Sequence, residues 1–316
     1  MSTSSLIHVV VILGPTGVGK TEVSIELAER LEGEIVSADS RLFYRGMDIG
    51  TAKPTLAQRS RIRHHLIDVA DPTESWSLAT FRLEALKALK SVHSRGRLPF
   101  LVGGTGQYLT ALLDGWVPPP RPTDASQRRA LEAYAAEHGA KALHRQLAEV
   151  DAERAAQIDY RNVRRVVRAL EIYHTTGLPP SQIRNRERSP LAGLRIGLHL
   201  PRDELYARLD ARIEGMLRAG LVEEVRTLMN NGVPANAPSM SAIGYREIVR
   251  YLQEELTLEQ AQQQIGRATR QLVRRQANWF KADDPRIHWV EARPGVVDKI
   301  IPFIQSWLEE SKPSGG

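Results

Sequence analysis

The chain has 316 residues, 43 Lys and Arg against 37 Asp and Glu, and a formal net charge of +6. That length accommodates one large domain or two moderate ones with a real core, and the positive balance suits a nucleic acid or another polyanion as partner. No apolar run approaches membrane-spanning length and the opening Met1-Ser2-Thr3-Ser4-Ser5 lacks the basic and hydrophobic regions of a signal peptide. The absence of cysteine excludes disulfides and thiolate metal sites. A cytoplasmic protein with no membrane partner is expected.

The first element is the most informative. Ile7-His8-Val9-Val10-Val11-Ile12-Leu13 reads as a buried strand and runs straight into Gly14-Pro15-Thr16-Gly17-Val18-Gly19-Lys20-Thr21. That is the full G-x-x-x-x-G-K-[ST] phosphate loop, and a helical pattern over residues 22–32 follows it. Its glycines let successive N–H groups converge on phosphate oxygens. Lys20 adds a cation, Thr21 offers a hydroxyl to Mg2+, and the helix points its positive end at the ligand. These eight residues are therefore expected to hold a di- or triphosphate, with Mg2+ as cofactor. An ordinary glycine-rich turn is the bland alternative, and the order of strand, loop and helix speaks against it.

A second apolar run, residues 34–37, ends in Ser37-Ala38-Asp39-Ser40. At the carboxyl end of a strand neighbouring the P-loop strand, Asp39 would project into the active cleft, as proton acceptor or beside Mg2+; a helix N-cap or turn Asp is the alternative. His64-His65 are sequential and do not form a chelating helical pair, and Leu66-Ile67-Asp68 is too short to serve as a Walker-B strand. The third run, residues 98–102, ends in Gly103-Gly104-Thr105-Gly106 without an acid. That fits an ATP-hydrolysing motor poorly and a small transferase gripping its donor's phosphates better.

From there the pattern turns helical until a fourth run at residues 194–200. An inserted helical domain over residues 118–191 is expected, dividing a core into residues 1–117 and 192–316, with Trp116-Val117-Pro118-Pro119-Pro120-Arg121-Pro122 as a stiff approach. Within it, a helix over residues 161–173 carries Arg161, Arg164, Arg165 and Arg168 at i, i+3, i+4 and i+7, a basic stripe facing phosphates or merely solvent. The polar loop Arg184-Asn185-Arg186-Glu187-Arg188 adds more positive charge.

Beyond the fourth run, a helix over residues 206–220 places Arg208 and Arg212 one turn apart, where one can face a departing phosphate or a surface acid. A longer helix opens at Thr257 with Gln260 as capping-box partner and carries Arg267, Arg270, Arg274 and Arg275 before Trp279-Phe280, which could stack on a base but are expected in the core. A last run at residues 286–290 completes the pattern. Alternating strands and helices imply an α/β fold, a P-loop NTPase-like parallel sheet core with an inserted helical domain and C-terminal helices. Together the three basic surfaces suggest one groove for an RNA backbone.

These motifs resemble the tRNA dimethylallyltransferases, or tRNA isopentenyltransferases, of the bacterial type. The likeness rests on the P-loop, on Ser37-Ala38-Asp39-Ser40-Arg41 with Tyr44-Arg45-Gly46-Met47-Asp48-Ile49-Gly50-Thr51-Ala52-Lys53-Pro54, on His64-His65-Leu66-Ile67-Asp68, and on Val102-Gly103-Gly104-Thr105-Gly106. It continues through Arg165-Val166-Val167-Arg168-Ala169-Leu170-Glu171, Gly220-Leu221-Val222-Glu223-Glu224-Val225, Ala242-Ile243-Gly244-Tyr245-Arg246-Glu247, and Arg275-Gln276 with Trp279-Phe280.

The resemblance implies transfer of a dimethylallyl group from dimethylallyl diphosphate to N6 of adenosine 37 in tRNAs reading codons that begin with U, and release of diphosphate. It makes Asp39 the general base, and places Lys20, Arg212 and Mg2+ on Thr21 at the leaving diphosphate. It puts Asp39, Ser40, Arg41, Leu42, Thr105, Arg128, Arg164, Arg165, Arg168, Ser241, Ala242, Ile243, Gly244, Tyr245 and Arg246 in contact with tRNA. The implied partner is the anticodon stem-loop, its target base flipped out, and the implied state a monomer. One departure stands out: the family usually has Gln where this chain has Leu42, so Leu42 and Phe43 would have to check the base by apolar packing. The tail Lys312-Pro313-Ser314-Gly315-Gly316, without a cysteine zinc finger, agrees with the bacterial type.

Two other readings are compatible with the P-loop. A small-molecule kinase of the shikimate or nucleoside type also places an acid after its second strand but does not need basic helices. A non-catalytic RNA-binding protein regulated by nucleotide would not need Asp39.

Overall fold

The structure, a computed structural model, describes residues 6–119, 126–183 and 186–311. Among the expectations above, Met1–Ser5, Pro120–Pro122, Arg184 with Asn185, and Lys312–Gly316 lie outside the described residues. The chain divides into two units, one formed by Met1–Gly115 with Arg188–Gly316 and the other by Trp116–Glu187.

The larger unit begins with β1 (Ile7–Leu13), α1 (Lys20–Arg30), β2 (Gly33–Ser37), α2 (Leu56–Arg61), β3 (His64–His65), α3 (Leu78–Ser94), β4 (Leu98–Val102) and α4 (Gly106–Leu113). The smaller unit holds α5 (Ser126–His138), α6 (Ala140–Val150), α7 (Ala152–Ala156) and α8 (Val163–Thr176). The larger unit resumes with β5 (Leu191–His199), α9 (Arg202–Arg218), α10 (Leu221–Asn230), α11 (Tyr245–Leu252), α12 (Leu258–Trp279), β6 (Ile287–Glu291) and α13 (Val296–Glu310).

All six strands form one parallel sheet in the order β3-β2-β4-β1-β5-β6. A parallel sheet needs helices over both faces, so its central strands carry apolar residues at successive positions. Val9 through Leu13 are accordingly no more than 2% exposed. Val10 and Ile12 pack with Ile25 and Leu27 of α1 and Ile300 and Ile304 of α13, while α3 and α4 pack on the sheet and on each other. This is the expected P-loop-type core.

Several details differ from the sequence reading. β5 starts at Leu191 rather than 194, because it pairs with the whole of β1, Ile7 opposite Leu191 through Leu13 opposite Gly197. An insertion reaching residue 191 would therefore overlap a core strand. Next, β2 does not adjoin β1, because β4 lies between them. Finally, the His64-His65 segment is a short edge strand beside Ile35 and Val36, and Asp68 beyond it bonds the buried Lys53 Nζ (2.5 Å) and Arg59 (2.6 Å). Asp68 thus braces the loop after β2.

The smaller unit has its own core of Leu131, Leu143, Leu147, Ile158, Val166, Val167 and Leu170. Burial of each such aliphatic side chain stabilises by about 1.5–3 kcal/mol. Asn162 caps α8, its side chain accepting from Arg165 N–H. The helix thus begins at Val163, so Arg161 lies ahead of it and pairs with Asp159.

Candidate active site

The P-loop bends between β1 and α1 in a conformation that selects its residues. Gly14 has φ 142°, and a Cβ there would lie 2.4 Å from the Leu198 carbonyl oxygen on β5. No side chain caps α1, whose N-cap is Gly19, so its first N–H groups remain for an anion. Lys20 Nζ donates to the carbonyls of Gly14 (2.9 Å) and Pro15 (2.8 Å), which anchor the ammonium within the loop. Thr21 is the second residue of α1, beside Lys20, where its hydroxyl could join phosphate oxygens around a cation. These groups fit Mg2+ held chiefly by diphosphate oxygens.

Asp39 follows β2 by two residues, and its Oδ1 accepts from Arg41 N–H at 3.0 Å. Asp39, Lys20 and Arg212 lie close enough to act on one another's charge. Burial pulls Lys20 down from 10.5 to about 8, with Asp39 opposing and Arg212 adding to the fall. Arg212, on α9, is likewise lowered by burial against the pull of Asp39. Two partly buried cations thus share one nearby carboxylate, an arrangement that favours a bound anion.

The Lys20 shift has a measurable consequence. If a diphosphate binds the protonated ammonium, its affinity should be flat below about pH 8 and fall above it, by on the order of tenfold between pH 7 and pH 9. Isothermal titration across that range checks it, with Lys20→Arg as a variant that should bind without the alkaline decline. A flat wild-type profile would contradict the assignment.

The P-loop also touches a residue that the sequence reading noted only as part of a motif. Gln276 of α12 is 7% exposed; its Oε1 accepts from Thr16 N–H (2.9 Å) and its Nε2 donates to the Gly104 carbonyl (2.9 Å). The loop after β4 fits around this helix only with small residues: a Cβ on Gly104 would meet Gln276 Nε2 at 2.3 Å, and one on Gly106 would meet Trp279. Phe280 is in the core as expected, whereas Trp279 is 51% exposed and covers Gly106. Thr105, at the N-terminus of α4, makes no side-chain cap.

The remaining candidate RNA contacts separate into exposed and buried groups. Arg41 reaches the Pro238 carbonyl (3.2 Å) and Ser241 Oγ (3.4 Å), joining the segment after β2 to residues 238–241. Leu42 is partly buried, but Phe43 is fully buried among Trp76, Phe81 and Tyr108, so Phe43 cannot pack on a base. Within residues 241–246, the side chains of Ala242 and Tyr245 are also interior. Tyr245 Oη donates to Glu224 (2.6 Å), which also accepts from the N–H groups of Asp48, Ile49 and Gly50. Ser241, Ile243 and Arg246 keep exposed surface, while Gly244 is buried.

In the smaller unit the expected stripe is not continuous. Arg128 makes a two-pronged bond to the buried Glu171 (2.8 and 3.0 Å), and Arg168 bonds Glu171 (3.3 Å) and the Pro119 carbonyl (2.9 Å). Arg164 and Arg165 remain exposed on α8. On α12, Arg270 is held by Asp210 (2.6 Å) and lies over Tyr206, leaving Arg267, Arg274 and Arg275 exposed.

Comparison with known proteins agrees with this architecture. The IPP transferase family model matches residues 42–283, and the isopentenyl transferase model matches residues 7–71. A tRNA dimethylallyltransferase of Thermomicrobium roseum is 47% identical over 97% of this chain and 93% of its own length. One of Roseiflexus sp. is 50% identical over 87% of this chain and 90% of its own. The crystal structure of the tRNA isopentenylpyrophosphate transferase of Bacillus halodurans superposes with a TM-score of 0.73 at 40% identity, over 96% of this chain and 98% of that one. A eukaryotic dimethylallyltransferase described as acting on tRNA superposes with a TM-score of 0.82 at 27% identity, over 98% and 81% of the two chains. A P-loop core with a charged acid–cation cluster at its mouth, matched over nearly its whole length by such relatives, places this chain in the IPP transferase family.

Proposed function

We propose that the protein transfers a dimethylallyl group from dimethylallyl diphosphate to N6 of adenosine 37 in tRNAs that read codons beginning with U, giving N6-dimethylallyladenosine and diphosphate. The observation that carries this reading is a P-loop whose Lys20 is anchored on the Gly14 and Pro15 carbonyls and feels the charges of Asp39 and Arg212, in a chain whose relatives are named tRNA dimethylallyltransferases.

The N6 lone pair attacks the allylic carbon bound to oxygen, the carbon–oxygen bond breaks, and its electron pair leaves with the diphosphate. An adenine amine is a weak nucleophile because its lone pair is delocalised, so Asp39 assists by accepting the N6 proton. Lys20 and Arg212 hold the negative charge that develops on the leaving group. Thr21 and the donor's phosphates would hold Mg2+, which supplies further charge neutralisation when bound. Ser40, Arg41, Thr105, Ser241 and Arg246 offer polar contacts to RNA, and Arg164 and Arg165 supply free guanidinium groups for its backbone. The enzyme acts on the anticodon stem-loop as a cytoplasmic monomer. Among the described residues, no helix is long and apolar enough to cross a membrane.

Mass spectrometry of tRNA hydrolysates after incubation with dimethylallyl diphosphate or with ATP tests the reaction. An adenosine enlarged by one C5H8 unit is expected in the first case only. Phosphate transfer from ATP without prenylation would favour a kinase.

The paired state of Arg128 and Arg168 refines the basic surface. Arg164→Ala and Arg165→Ala should each reduce the slope of log K against log salt by on the order of one unit for every phosphate the side chain neutralises. Arg168→Ala should instead lower the melting temperature by exposing the buried Glu171 to an incomplete set of partners. Filter binding at several salt concentrations and a thermal melt separate these outcomes. An unchanged slope in both α8 variants would return that face to ordinary solvated surface.

A further inference from the structure

We propose that Gln276 is a positioning residue that sets the donor-binding geometry of the P-loop from α12, by orienting the peptide whose carbonyl anchors Lys20. The inference rests on the proposed prenyl transfer for its biological meaning, but its geometry stands on the P-loop alone.

A side-chain amide offers one acceptor and one two-proton donor, and the two neighbours here fix which end is which. Thr16 N–H can only donate, so it faces Oε1; the Gly104 carbonyl can only accept, so it faces Nε2. In a trans peptide the C=O and N–H point to opposite sides, and among the described residues there are no cis peptide bonds. Holding Thr16 N–H toward α12 therefore turns the Pro15 carbonyl the other way, and that carbonyl accepts from Lys20 Nζ at 2.8 Å. On the other side, holding the Gly104 carbonyl turns the Thr105 N–H away from Gln276, toward the start of α4.

One buried side chain thus orients two peptides, one under the donor's lysine and the other beside Thr105. A buried amide is costly unless both ends are satisfied, and both are. The close fit at Gly104, where any Cβ would strike Gln276 Nε2, leaves no slack in the arrangement.

The test is donor binding without RNA. Gln276→Met keeps the length and volume but removes both bonds; Gly104→Ala keeps the glutamine but displaces its amide. Titration calorimetry with inorganic pyrophosphate, and separately with dimethylallyl diphosphate, should show Kd raised by on the order of tenfold in each variant. RNA affinity measured without donor should change by less than about twofold, since neither substitution removes a charge that faces a phosphate. A folded variant of either kind with unchanged pyrophosphate Kd would overturn the proposal, as would a loss confined to RNA binding. If the wild type binds pyrophosphate and both variants weaken it, but no prenyl group is transferred, the functional reading fails and the clamp survives.

Discussion

Asp39→Ala is expected to lower the single-turnover rate of prenyl transfer by roughly 10²-fold or more, while leaving the protein folded and able to bind its donor. The carboxylate acts on two partly buried cations, so its removal acts in two opposing directions. It takes away the proton acceptor for N6, which slows chemistry. It also unmasks Lys20 and Arg212, which should leave pyrophosphate Kd unchanged or lower. A slower enzyme with equal or tighter diphosphate binding is the signature of a base; a merely structural acid would weaken both. Asp39→Asn refines the comparison, because an asparagine Oδ1 can still accept from Arg41 N–H, as Asp39 does at 3.0 Å. Rapid-quench assays on a saturating anticodon stem-loop should therefore find both variants slow. Near wild-type transfer by Asp39→Asn would end the general-base assignment.

The second large effect is expected at Arg212. Arg212→Gln removes a partly buried guanidinium facing the site from α9 and should reduce the single-turnover rate by on the order of 10²-fold, the usual scale for losing one donor to a developing anion. Its companion readout follows from the electrostatics. Arg212 contributes to the lowering of Lys20, so in Arg212→Gln the lysine should titrate at higher pH, and the alkaline decline in donor affinity should move above the wild-type value of about 8. A slowed reaction with an unmoved pH profile would place Arg212 away from Lys20 in solution. An unaffected rate would remove Arg212 from the leaving-group site.

The features legible in the sequence are those whose physical cause is local. A run from Ile7 to Leu13 that enters a glycine-rich loop and a helix can be recognised without its neighbours, because strand burial, left-handed turns and helix-end polarity are encoded within some two dozen residues. The capping box of Thr257 and Gln260 is another such case, observed with both reciprocal bonds. Resemblance carried the roles of Asp39 and Arg212, which no local pattern distinguishes from a turn aspartate and a surface arginine.

What only the tertiary structure decided are properties that depend on a distant partner. β5 begins at Leu191 because β1 offers it a ladder, although Gly193 alone looks like the end of a loop. Arg128 and Arg168 count toward a basic surface in one dimension, and in three they hold the buried Glu171. Tyr245 belongs to a motif that suggests contact with RNA, yet it is enclosed against Glu224. Gln276 acts on Thr16 from 260 residues away, and its amide has meaning only where the two loops converge. In each case the residue's own chemistry was visible from the start, but whether it met solvent, a carbonyl or an opposite charge was set by packing between segments far apart in the chain.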